Sequence, residues 1–409
     1  MTAELARSFA GMAAVADDLS EMLAMPPLAE AGRDRWPHQS LSRGAAGVAV
    51  LHGTRAQAGL GSLERAHAWL GLAVRDSVSA GPGSGLWLGA PAIAFAIAAS
   101  APSHYRAATQ ALNQVITNMA QARLQAAHER IAAAARPALS EFDLVRGLTG
   151  LGAYLLHFEP DPWLLRQVLQ YLVRLTEPVS AGDAAGIAAP GWWSADTPNL
   201  RTRTDGGHAN LGMAHGIAGP LALLALAARK GITVTGQAEA IDRICAWLDA
   251  WCQPGAAGPW WPAWITLADL RDGRASQPGP ARPSWCYGTP GLARAQQLAA
   301  IARHDRTRQA DAENALARCV SDQAQTARLS EPGLCHGWAG TLAATWHATR
   351  DAASRHLAAA PEPLARALAE SAHGDHPYGL INGYAGAALM LHAIATQAPG
   401  RWAGCLLIA

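Results

Sequence analysis

Half of the 409 residues are apolar and only 15% are charged, so a large core can be buried, and 32 basic residues against 31 acidic ones leave a net charge of +1. That balance gives no electrostatic reason to expect nucleic acid or an anionic membrane as partner. Six cysteines are too few for a disulfide framework in a chain this long, and no apolar run reaches the ~18 residues of a membrane span.

The first segment, Met1 to Ala24, carries Glu4, Asp17, Asp18 and Glu21, which is wrong for a secretory signal. A cytoplasmic protein is expected. From there on the chain is organised by a recurring Gly-x-x-Gly followed by an apolar run. The motif appears as Gly44-Ala45-Ala46-Gly47, degenerately as Gly89-Ala90-Pro91-Ala92, then as Gly147 to Gly150, Gly216 to Gly219, Gly288 to Gly291, Gly337 to Gly340 and Gly383 to Gly386. First glycines stand 45 to 72 residues apart, room for an inner helix, a return helix and a loop.

Residues after each motif, such as Leu151, Tyr154 and Leu155, or Leu221, Leu224 and Leu226, sit in runs with almost no polar positions. A helix apolar nearly all round is buried on most sides. The intervening segments are amphipathic. Asp161-Pro162 is a helix start, and Leu165, Val168, Leu169 and Leu172 follow on one face. The pattern predicts an all-α chain, one domain over residues 1–409: an α/α toroid of seven helical hairpins with inner and outer layers. Its glycines would let inner helices approach closely at their N-termini and let the preceding loops crowd around the axis at one end.

Two stretches break the pattern. Glu177 to Asn210 is rich in Gly, Pro, Asp and Thr, and Gln253 to Pro283 holds many prolines around Trp260-Trp261-Pro262-Ala263-Trp264. Both read as loops or small β excursions, placed over a site mouth or packed on the outer surface. Of the cysteines, Cys245 and Cys252 share a helical face with Ile241, Ile244 and Leu248, Cys319 follows Leu316 by three, and Cys405 lies in an apolar tail. All four read as buried structural thiols. Cys286 and Cys335 differ, being loop residues beside a glycine. With His336 they make a plausible three-ligand zinc site, and three protein ligands leave a coordination position open for water or substrate. Thiolate ligands suit zinc and a substrate sulfur. His208 could belong to a site loop, whereas His373, Asp375 and His376 read as a solvated loop.

Three stretches carry a resemblance: Asn210-Leu211-Gly212-Met213-Ala214-His215-Gly216-Ile217-Ala218-Gly219-Pro220, Trp285-Cys286-Tyr287-Gly288-Thr289-Pro290-Gly291 and Cys335-His336-Gly337. Together they resemble the lanthionine synthetase C, or lanthipeptide cyclase, family, and the glycine motifs extend the likeness over the whole chain. Tyr287 after the cysteine, without a dehydratase domain, resembles the stand-alone cyclase of class I lantibiotic pathways.

The resemblance implies an α/α toroid holding one zinc ion on Cys286, Cys335 and His336. It implies Michael-type addition of a peptide cysteine thiol onto dehydroalanine or dehydrobutyrine, giving lanthionine and methyllanthionine rings. By motif match, His215 is the acid that protonates the enolate. Arg282, four residues before Cys286, matches the family's arginine and stabilises the enolate or the carboxamide rather than acting as an acid, since it cannot lose its proton. Tyr287 orients substrate or donates a hydrogen bond, and Asp143, before the third glycine motif, orients His215 or accepts the thiol proton. Implied partners are a dehydrated precursor peptide (leader plus core), a dehydratase and an export transporter, with membrane association arising only through such a complex. Two other classes remain open: a prenyltransferase-like thiol alkylation, whose sites resemble Asp/Cys/His rather than Cys/Cys/His ligation, and a non-catalytic peptide-binding scaffold stabilised by zinc.

Overall fold

A computed structural model describes residues 3–27, 37–101, 103–159, 161–181, 186–197 and 204–409. Fourteen long helices organise the described residues. In chain order they are α1 Ala3–Met22, α2 Ala45–Gln57, α3 Leu63–Ala73, α4 Ala90–Ser100, α5 Arg106–Ala132, α6 Leu148–Phe158 and α7 Trp163–Arg174. The second half supplies α8 Ala218–Arg229, α9 Gln237–Ala250, α10 Thr289–Arg303, α11 Arg306–Ser321, α12 Trp338–Asp351, α13 Pro361–Ser371 and α14 Tyr384–Thr396.

Every inner helix starts at a glycine motif. The first glycine is the N-cap of α2, α4, α6, α10, α12 and α14, and α8 starts one residue later, with Ile217 as its cap. The apolar-all-round segments are buried as expected: every residue of α4 is buried, and so is α14 from Tyr384 to Ile394. Outer helices bury one stripe, which in α7 is Leu164, Leu165, Val168, Leu169, Tyr171 and Leu172. Asp161 caps α7 by accepting the Trp163 N–H at 3.0 Å, with Pro162 at the N-cap rather than inside the first turn. The seventh hairpin is not sequential. The outer partner of α14 is α1, which packs along it and touches α13, so the start of the chain closes the toroid.

Closure is completed by backbone hydrogen bonds among the loops that enter the inner helices. The Leu41 N–H donates to the Trp87 carbonyl at 3.1 Å, Trp87 to Val145 at 3.4 Å, Leu144 to Ala214 at 3.1 Å and Met213 to Cys286 at 2.8 Å. Cys286 then donates to Cys335 at 3.1 Å, Cys335 to Ile381 at 2.9 Å, and Leu380 back to Leu41 at 3.0 Å. Each loop donates to the next in one direction around the ring, so all seven meet at one end of the toroid. Buried backbone groups need partners, and this ring supplies them.

The glycines serve that ring. A Cβ on Gly291 would overlap the carbonyl oxygen of Trp285 in its own loop and approach Met213 in the neighbouring one. A Cβ on Gly340 would overlap the Leu334 carbonyl. The tight approach therefore lies between a helix's first turn and the ring loops rather than between inner helices at their N-termini. The degenerate second motif keeps its first glycine for a separate reason, since Gly89 has φ +76°, which L side chains rarely adopt.

The two excursions hold four short strands. Val179–Ser180 (β1) pairs antiparallel with Ala188–Ala189 (β2), and His208–Asn210 (β3) with Trp264–Thr266 (β4). The second pair ties one excursion to the other and carries both to the ring. Residues 182–185 and 198–203 of the first excursion lie outside the described residues. No helix among the described residues is long and apolar enough to cross a membrane.

Candidate metal centre

The fourth, fifth and sixth ring loops carry the polar chemistry. Cys286 is fixed from both sides, its N–H bonded to the Cys335 carbonyl and its own carbonyl accepting from Met213. The same register that closes the ring thus brings Cys286 beside Cys335 and His336. One donor atom from each lies within 4.8 Å of the others, and no further His, Cys, Asp or Glu joins this cluster among the described residues. A tetrahedral zinc ion, with bonds of about 2.0–2.3 Å, sets its ligands about 3–4 Å apart, so the three donors are of the right type and need only small side-chain shifts to share one.

Protons are contested in this cluster. The Cys286 thiol lies well below its ordinary pKa, because its thiolate accepts hydrogen bonds from Cys335, His336 and Ser284. Cys335 is held well above, because it keeps the proton it shares with Cys286, and burial adds to this. His336 is raised by its hydrogen bond to Cys286. Two thiols and an imidazole crowded this closely favour a soft divalent cation in place of the shared protons. The other cysteines differ. Burial pushes Cys245 and Cys319 up to about 12, and Cys405 is fully buried. Cys252 is half-buried rather than buried, which corrects the reading of all four as core thiols.

A residue without any motif completes this side. Glu331, five residues before His336, places Oε2 3.1 Å from His336 Nε2 and Oε1 3.7 Å from Arg282 Nη1. It links a candidate ligand to the candidate enolate-stabilising arginine. Sequence reading missed it, and the only available signal was an acidic side chain in a glycine-rich loop beside the ligands.

On the adjacent loop, His215 Nδ1 lies 2.7 Å from Oδ2 of the fully buried Asp143. The other carboxylate oxygen accepts the N–H groups of Arg146 at 2.7 Å and Gly147 at 2.9 Å. Two backbone donors therefore fix the carboxylate and leave one oxygen for the imidazole. That bond favours the tautomer protonated on Nδ1 and leaves Nε2 as the nitrogen open to a substrate. Tyr287 accepts a hydrogen bond from the Asn210 side-chain amide at 3.1 Å, which leaves its own O–H to donate. Burial holds that hydroxyl well above its ordinary pKa.

A cavity of about 940 Å³ opens beside the cluster, lined by Cys286, Tyr287 and Arg282 with Trp264, Gln277 and Arg328. The second excursion supplies most of its wall, while the β1–β2 part of the first borders Arg130 and Arg174 elsewhere. His208 lies in β3, fully buried, with neither ring nitrogen hydrogen-bonded among the described residues.

With that geometry in hand, the chain matches the model of the family described as lanthionine synthetase C-like protein over residues 35–407. Among solved structures, a nisin cyclase is similar with a TM-score of 0.73 and 18% identity, covering 100% of this chain and 98% of that one. No curated protein matches the sequence.

Proposed function

We infer that this chain, which belongs to the lanthionine synthetase C-like family, is a zinc-dependent lanthipeptide cyclase. It adds peptide cysteine thiols to dehydroalanine or dehydrobutyrine and forms thioether rings in a dehydrated precursor. One observation carries the reading: three metal-type donors, Cys286, Cys335 and His336, converge beside a cavity of about 940 Å³. When bound there, zinc would supply acidification of a substrate thiol while keeping its sulfur nucleophilic.

The chain's own residues supply the rest. His215, its Nδ1 held by Asp143, accepts the thiol proton on Nε2 and returns it to the α-carbon once the new bond has formed. The S–H bond breaks, C–S and C–H bonds form, and the alkene π bond is consumed, so atoms and electrons balance without a co-reactant. Asp143 stabilises the imidazolium between these transfers. Arg282 faces the carbonyl oxygen that gains charge in the enolate, and Glu331 restrains its guanidinium. The Tyr287 hydroxyl, its lone pair engaged by Asn210, donates to the substrate backbone. The substrate's alkene requires a dehydratase to act first on Ser or Thr, and a transporter would export the product. A cytoplasmic location accords with this reading.

Cys335→Ala should lose both zinc and ring formation while helicity persists, and His215→Asn should retain zinc but close rings slowly. Zinc is read by elemental analysis and ring closure by counting alkylatable thiols. Full zinc occupancy in Cys335→Ala, or an unchanged single-turnover rate in His215→Asn, would overturn the respective assignments.

A further inference from the structure

Each ring loop holds one position that packing leaves open. The first glycine of every motif is buried, and the residue before it is exposed or half-buried in all seven loops. Those residues are Arg43, Leu88, Arg146, His215, Tyr287, His336 and Asn382. The ring of backbone bonds sets the loops around one circle. Three consecutive members, His215, Tyr287 and His336, carry the chemistry proposed above. The other four occupy equivalent places on the same rim, and none of the seven is acidic.

Two of those four are arginines with nothing to hold. Arg43 uses its backbone N–H toward Ser40, and Arg146 uses its own toward Asp143. Neither guanidinium has a hydrogen bond or ion pair among the described residues, and both residues are exposed. Arg123 adds a third positive charge close by, spent on the carbonyls of Arg146, Pro82 and Ser84. Arg328 adds another on the cavity wall. The seven inner helices all begin at this rim, so the positive ends of their dipoles face the same mouth. The carboxylates at this end are already engaged, Asp143 by His215 and Glu331 by His336 and Arg282, so the positive charge left without a partner is that of Arg43 and Arg146.

The proposed chemistry does not require these charges, because thiol and alkene are both neutral. Arg146 stands one place before His215 in the ring, and Arg43 two places beyond His336, so the pair flanks the reacting arc on both sides. We propose that Arg43 and Arg146 form a carboxylate-binding rim that selects peptides bearing acidic residues on either side of the ring-forming pair. This rests on the chain being a peptide cyclase, and it names the class of peptide it takes.

The test uses the full chain and a fluorescent synthetic peptide in which alanine replaces the reacting cysteine, so that binding is read without turnover. Two forms differ only in flanking Glu residues against Gln. Anisotropy should show tighter binding of the Glu form, by about fivefold per arginine at low salt, with the preference fading as salt rises. Arg43→Glu/Arg146→Glu should abolish or reverse the preference, while affinity for the Gln form and the unfolding midpoint stay put. Equal affinity for both peptides, or an equal loss for both in the double variant, overturns the proposal. A thiol-bearing pair separates the two readings: a Glu preference without ring closure sinks the cyclase and keeps the rim, and ring closure without preference does the reverse.

Discussion

Asp143→Asn separates catalysis from architecture more cleanly than any other substitution in this site. The carboxylate is fully buried, with Oδ1 accepting two backbone N–H groups and Oδ2 facing His215 Nδ1 at 2.7 Å. An asparagine in the same rotamer keeps its oxygen on the two backbone donors and so preserves the start of α6. Its amide nitrogen then replaces Oδ2 and presents a donor where the imidazole needs an acceptor. The tautomer flips, Nε2 becomes protonated in the neutral ring, and the imidazolium loses its counter-charge. Stability should fall by about 1–3 kcal/mol, as charge-assisted bonds become neutral ones. Ring closure should slow by about 10²–10⁴, the usual range for lost acid–base catalysis. Rapid quench followed by thiol alkylation and mass spectrometry reads the rate, since cyclisation itself leaves the mass unchanged. Zinc content should equal that of the parent. A single-turnover rate within about threefold of the parent would refute the acid–base assignment of the pair.

Other outcomes follow from the same geometry. Glu331→Gln should weaken zinc binding by about 10–100-fold in chelator competition, because the carboxylate on His336 Nε2 orients the ligand; unchanged affinity would remove it from the site. Gly340→Ala should destabilise by about 1–3 kcal/mol through overlap with the Leu334 carbonyl, while Gly71→Ala, in open space on α3, should stabilise by up to about 1 kcal/mol; denaturant titration compares them. Burial lowers the pKa of His347 to about 3, against about 6.5 in an unfolded chain, so its stabilising effect is complete above pH ~6.5 and is lost as pH falls toward 3. Metal-free parent protein should therefore lose about 2 kcal/mol more than His347→Leu between pH 7 and 5, and parallel losses would contradict this.

The parts of this fold that were readable in the sequence are those enforced by local sterics. A glycine that touches a carbonyl six residues earlier in its own loop cannot be replaced cheaply, so the Gly-x-x-Gly rhythm marks every inner helix except at Ala92. Amphipathic stripes such as Leu165, Val168, Leu169 and Leu172 likewise reflect burial on one side. What escaped reading depends on closure. The pairing of α1 with α14 and the β3–β4 ladder join residues far apart in sequence, and only the ring of loops fixes their register. Glu331 escaped for a different reason. A lone acid in a loop has many uses, and its meaning comes from His336 and Arg282, which the fold alone brings to it. Cys286, Cys335 and His336 stood out because two thiols and an imidazole stand beside ring glycines in loops rather than on helical faces.

Why His215, Tyr287 and His336 share one position in their loops also follows from the ring. The backbone bonds use main-chain atoms alone, so closure does not depend on which side chain precedes the glycine. The second glycine of the motif, by contrast, is constrained by overlap with the loop carbonyl, and the residues after it by the core. The position before the first glycine is thus the place where identity can change without loosening the toroid, and it holds Arg, Leu, His, Tyr and Asn in different loops. Substitution of the exposed Arg43 by Asn should then leave the unfolding free energy within about 0.5 kcal/mol, as at other open surface positions. A loss of several kcal/mol would show that the rim side chains help to hold the ring closed, and the separation of architecture from function argued for here would fail.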